Sequence, residues 1–204
     1  IAGESAIFQL YSLNCQYSAI KSDAVIHLNW PVSYRNTGWW AEPGENERQK
    51  WEEDVLELTT FFDEAKNYNT IQNPLPVNLK YEAMKGVFNG SKKLFIHADD
   101  RISITSALAF AKSYNIKPVI VGGADAWMVT TELKNAGATV VISRTHRLPS
   151  RADEPVDISY TLPKILFDSG VMFAIADVHS WEQRNLPFQA GQAVAYGLEK
   201  EEAL

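Results

Sequence analysis

In the run KKLFIHADD two lysines lead into three apolar residues, and His97, Asp99 and Asp100 stand where the apolar run stops. An imidazole there is a metal ligand or proton carrier if it faces a cleft, and a histidine bonded to Asp99 or a backbone carbonyl if it does not. Asp177 and His179 close VMFAIAD in the same way, Arg144 and His146 follow TVVIS, and Gly122 and Gly123 end PVIVGG. His27, set between Ile26 and Leu28, fits a structural role better than a chemical one. A carboxylate such as Asp177 can take and return a proton, or cap a helix. An arginine such as Arg144 is a bidentate donor for a substrate carboxylate. Arg144, His146, Arg151 and Asp153 share one charged stretch, RTHRLPSRADEPVD, which is a substrate loop or simply a solvated one. The glycine pair admits a phosphate at a helix N-terminus, but VGGADA lacks the dinucleotide fingerprint and puts Asp125 where it would repel an anion.

These residues share a position because the chain alternates strand and helix patterns. LFIHA, PVIVGG, TVVIS and VMFAIAD are short apolar runs that predict strands. Between the first two, RISITSALAFAKSYN puts Ile104, Leu108, Ala111 and Tyr114 on one helical face, with Asp99 or Asp100 as N-cap. DAWMVTTELKNAG follows with Gly137 as its stop, then YTLPKILFDSG closing at Gly170, and NLPFQAGQAVAYG ending at Gly197. Residues 93–204 therefore predict regular βα repeats with parallel strands and right-handed crossovers, an α/β fold. In such sheets ligands sit at the carboxyl ends of the strands, where all the polar residues above fall.

Residues 1–92 are less regular but belong to the same single domain. SAIFQLYS and AVIHLNWP read as strands, with Pro31 ending the second. A loop over 31–46, with Trp39 and Trp40, is long enough to be a functional lid. A helix over Glu47 to Tyr68 has Asn46 as cap and a stripe of Trp51, Val55, Leu58, Phe62 and Ala65. LKYEAMKGVFNG is a shorter helix after a proline-bearing connector.

The 204 residues, 46% of them hydrophobic, can bury a real core. A net charge of -6 argues against nucleic acid as a partner, because neutralising phosphates needs a cationic surface. The lone Cys15 excludes an internal disulfide and a cysteine-rich metal knuckle, and leaves the compartment open. No apolar run approaches the roughly 18 residues of a membrane span. Because the chain opens at Ile1 without an initiator methionine, a removed leader or a longer parent protein is expected.

The run from LFIHADDRISITSALAFAKSYN through RTHRLPSRADEPVD, and the ending GVMFAIADVHSWEQRNLPFQAGQAVAYGLEKEEAL, resemble the carboxyl-terminal part of the amidohydrolase superfamily, in particular the imidazolonepropionase-like metal-dependent hydrolases. The resemblance implies a (β/α)8 TIM-type barrel with a metal centre at its carboxyl face. The family's ligands are a His-x-His pair on the first barrel strand, a histidine ending the fifth, often one ending the sixth, and an aspartate ending the eighth. By that pattern His97 matches the fifth-strand histidine and Asp177 the eighth-strand aspartate, which is both metal ligand and proton carrier. The metal, zinc before others, would activate water for attack on an amide or cyclic amide.

Two departures stand beside the resemblance. No His-x-His occurs in the sequence, and Gly122 or Gly123 stands where the sixth-strand histidine would be. The expectation is an incomplete barrel, a fragment of a larger hydrolase of non-peptide carbon-nitrogen bonds that is not active by itself. Its exposed edge would invite an assembly partner, such as a second copy. Arg144, His146 and Trp127 would bind a small, carboxylate-bearing substrate. The alternative from another class is an amidohydrolase-derived binding or structural domain whose metal site has decayed. A third reading is an open α/β domain that takes a phosphate at Gly122 and Gly123.

Overall fold

A computed structural model describes residues 3–8, 19–32, 47–149, 151–177 and 181–203. The expected cap Asn46, most of the 31–46 loop, Cys15 and His179 lie outside them. The residues group into two compact units, Ile1–Phe95 with Phe110–Ile116, and Ile96–Ala109 with Lys117–Leu204.

In the first unit β1 (Gly3–Phe8) pairs antiparallel with β2 (Ala19–Asn29), with Gly3 opposite His27 and Glu4 opposite Ile26. The predicted first strand, SAIFQLYS, is thus observed two residues earlier, and its end lies outside the described residues. His27 accounts for itself structurally, as expected: its Nε2 lies 3.0 Å from Ser5 Oγ and its ring meets Phe95 edge-on. Helix α1 (Glu47–Tyr68) has the predicted bounds, and of its apolar stripe Phe62 and Ala65 are fully buried. Phe62 gathers Phe88, Phe110 and Tyr114 around it in tilted and edge-to-face contacts, the geometry that aromatic quadrupoles favour. Helix α2 (Leu79–Phe88) starts at Asn78, whose side chain accepts from the Lys80 amide at 3.1 Å.

Strand β3 (Lys93–Ala98) and helix α3 (Arg101–Ser113) each run from one unit into the other. Within the second unit follow β4 (Val119–Gly122), a 3-10 turn at Ala126–Met128, α4 (Thr130–Ala136), β5 (Thr139–Ile142), α5 (Ile158–Ser169), β6 (Phe173–Ile175) and α6 (Leu186–Ala195). β4, β5 and β6 are parallel neighbours, with Ile120 beside Val140 and Ile142 beside Ile175. Parallel pairing requires the chain to cross back, and each crossover contains the helix that its periodicity predicted. Gly137 and Gly170 stop α4 and α5 as expected, at φ +60° and +72°, where a Cβ would clash with the backbone.

One face of these strands is dry. Ile96, Ile120, Val140 and Ile142 are each at most 2% exposed, in a core shared with Ile104, Leu133, Leu162 and Leu166. On the other face of β4 to β6, Val121 and Val141 are half-buried and Ala174 is exposed. Parallel sheets are ordinarily covered on both faces, so a single covered face is what an incomplete barrel would present.

Candidate functional site

Every second residue of β3, Leu94, Ile96 and Ala98, is buried, so His97 belongs to the opposite, half-buried face at the strand's carboxyl end. Just beyond it the two aspartates part company. Asp100 is the N-cap of α3, accepting from the Ser103 amide at 2.9 Å and from its hydroxyl at 2.5 Å. Asp99 is exposed as a residue, with its carboxylate lying over Gly122. A Cβ built on Gly122 would overlap Asp99 Oδ1 and come within 3.0 Å of Asp99 Cγ. Burial pushes the Asp99 carboxyl above its ordinary range, opposed by the Ala124 amide that donates to it and by the positive charge of Arg147.

The strand ends on either side are laced together by backbone. Gly123 N donates to Ala98 O at 2.9 Å, and Asp125 N to Asp99 O at 2.8 Å. Gly122 and Gly123 hold φ of +102° and +64°, so the turn after β4 needs glycine for its backbone. It does not offer the anion cradle considered from the sequence, because the Asp99 carboxylate already occupies the space above Gly122. Asp125, 3% exposed, accepts from the Arg101 amide at 3.1 Å and from Arg151 Nη1 at 2.9 and 2.7 Å. Arg151 also reaches the exposed Asp153 at 3.2 Å. Those partners hold the Arg151 proton more tightly than usual, the hydrogen bond to Asp125 contributing most.

The expected substrate residues stand on neighbouring connections but in different surroundings. Arg144 pairs through Nη2 with Glu182, while its Nε is buried and has no acceptor among the described residues. The half-buried Trp127, in the 3-10 turn after β4, likewise has a buried indole N–H with no acceptor among the described residues. Buried donors of this kind are rare and call for an explanation. His146 is exposed, its ring edge-on to Tyr160 at 6.3 Å. Arg147 is bound to the buried Glu154.

Asp177 lies two residues past β6, and one residue that the sequence reading missed holds it. Gln189 of α6 is 1% exposed, and its amide nitrogen donates to Asp177 Oδ2. The amide oxygen of Gln189 accepts from the Thr145 N–H at 2.9 Å, and Thr145 Oγ1 donates to Gln189 O at 3.2 Å. An N–H can only donate, so the Gln189 oxygen must face Thr145 and its NH2 must face Asp177. The signal available in the sequence was slight: Gln189 is a polar residue one turn before Ala193, on the buried face of its helix. Among the described residues no three histidine, cysteine, aspartate or glutamate side chains come together to hold a metal ion. The described residues therefore do not by themselves fit the metal centre implied by the resemblance.

No protein-family model matches the sequence, and no curated protein does. Among solved structures the chain is similar to an amidohydrolase from Thermotoga maritima MSB8, with a TM-score of 0.76 at 18% identity over 98% of this chain. The chain spans 54% of that protein's length. A slighter likeness, TM-score 0.40 at 17% identity, links 59% of the chain to 33% of an uncharacterized protein. The fold is thus amidohydrolase-like.

Proposed function

We propose that the chain is part of a hydrolase that cleaves a non-peptide carbon-nitrogen bond, an amide or cyclic amide, in a small molecule bearing a carboxylate. The observation that carries this reading is the held Asp177. Gln189 has one orientation open to it, so the carboxylate past β6 receives a fixed donor on Oδ2. An aspartate so oriented at a strand's carboxyl end is suited to take a proton from an attacking water and return it to the leaving nitrogen. The amidohydrolase-like fold supports that role, and His97 shares the strand-end position.

The carboxylate in the substrate is inferred from the Arg144 Nε–H and the Trp127 indole N–H, buried donors with no acceptor among the described residues. A substrate carboxylate that reached either donor would give it a partner, and the exposed His146 stands two residues from Arg144. A divalent metal, zinc before others, would need ligands beyond those the described residues bring together, and no step here is routed through it.

The second reading, a binding or structural domain without catalysis, is favoured by one feature. A side chain on Gly122, where the resemblance asks for a histidine, would have to displace the carboxylate of Asp99 and hold a left-handed backbone at φ +102°. The test is hydrolysis of N-acyl amino acids and cyclic amides by the full-length protein, alongside its metal content. Turnover should fall about 100-fold or more in Asp177→Asn, the usual loss when a positioned acid-base group is removed. An Asp177→Asn protein that turns over normally overturns the assignment, and equal kcat/KM for substrates lacking a carboxylate overturns the substrate class. Saturable binding without turnover would favour the second reading.

A further inference from the structure

A cavity of about 650 Å³ opens in the first unit, and none of the candidate site residues lines it. That volume is in the range of small-molecule sites. Ile26 and Leu28 of β2, Phe61 of α1 and Met84 of α2 make its apolar floor. Its mouth is acidic. Asp54 and Glu57 stand three residues apart on the α1 face that also presents Phe61, and both are exposed. Among the described residues neither has an ion-pair partner. Glu4, the third carboxylate, is held by Lys92 at 2.6 Å, and Lys80 is the one cationic residue of the lining.

We infer that this cavity binds a small organic cation, an ammonium group carried on an apolar or aromatic body. The floor removes the body from water, which is the larger contribution to affinity. The ammonium then rests between Asp54 and Glu57, neither of which forms an ion pair among the described residues, in a lining whose three carboxylates outnumber its one lysine. An anion of the same shape would meet those two carboxylates instead, so charge decides between otherwise equal ligands.

The chain's three methionines provide the test, because Met84 lines the cavity while Met128 and Met172 lie in the second unit. With 13C-labelled methionine methyl groups, phenethylammonium should shift the Met84 signal saturably and leave those of Met128 and Met172 in place. 3-Phenylpropionate, similar in shape and opposite in charge, should leave all three unmoved. The double substitution Asp54→Asn, Glu57→Gln alters two exposed helix positions and should weaken phenethylammonium binding about fivefold or more. Raised salt should weaken binding to the wild-type chain. The inference is overturned if neither probe shifts Met84, if both shift it alike, or if the double variant binds as tightly as wild type.

Discussion

Gly122→Ala would test whether the space above Gly122 really belongs to Asp99. Two costs add. A residue with a Cβ held at φ +102° carries strain of about 1–3 kcal/mol. The new methyl also overlaps Asp99 Oδ1 and must displace the carboxylate. Moving it gives up the hydrogen bond from the Ala124 amide, about 1.5–3 kcal/mol for a charged acceptor, of which regained hydration returns a part. The sum is about 2–5 kcal/mol, read from urea unfolding followed by far-UV circular dichroism. The two costs can be separated with Asp99→Ala, which removes the obstacle but not the strain. In the double variant the two substitutions should fall short of additivity by about 1 kcal/mol or more. A Gly122→Ala chain within 1 kcal/mol of wild type would refute the reasoning, and so would simple additivity. Gly122→His should be costlier still, which bears on whether one substitution could restore the histidine that the resemblance calls for.

Arg151→Ala should cost about 2–4 kcal/mol, because it leaves the 3% exposed Asp125 with only the Arg101 amide among its described partners. Removing Asp125 as well should recover part of that loss, and a single-variant cost under about 0.5 kcal/mol would rule out the pairing as a structural tie. Asp99→Asn should change how stability depends on pH. Burial raises the folded-state pKa of Asp99, so between the ordinary carboxylate range and that raised value the folded chain keeps a proton that the unfolded chain has released. Stability therefore falls as pH rises through that window, and Asp99→Asn should gain on wild type at pH 7, the gain closing below about pH 4. Urea midpoints at pH 3.5 and 7 decide it, and a difference of equal size at both would sink the account.

The elements were legible because their signals are local. The spacing of Trp51, Val55, Leu58, Phe62 and Ala65 sufficed for α1, and a glycine after the last apolar residue sufficed to stop α4 and α5. Where two local signals competed, the structure chose. Asp99 and Asp100 were equal as caps for α3, and Asp100 caps while the Asp99 carboxylate lies over Gly122. DAWMVTTELKNAG read as one helix is a 3-10 turn followed by a short α-helix, with β-branched Val129 at the join.

What could not be read are the pairings that cross the sheet. Asp125 meets Arg151, 26 residues away, and Gln189 meets Thr145, 44 residues away. Each depends on which strands are neighbours and in what register, and no composition or period encodes that. The sequence reading placed Asp125 as an obstacle to anions because it saw the charge without its arginine. It grouped Arg144 and Arg151 in one charged loop and named Arg144 as the substrate donor, with nothing to say what Arg151 meets. The structure instead commits Arg151 to Asp125 and leaves Arg144 with a buried Nε–H that has no acceptor among the described residues. Two arginines seven residues apart thus differ in kind, and only the one with an unmet donor remains a candidate to meet a substrate.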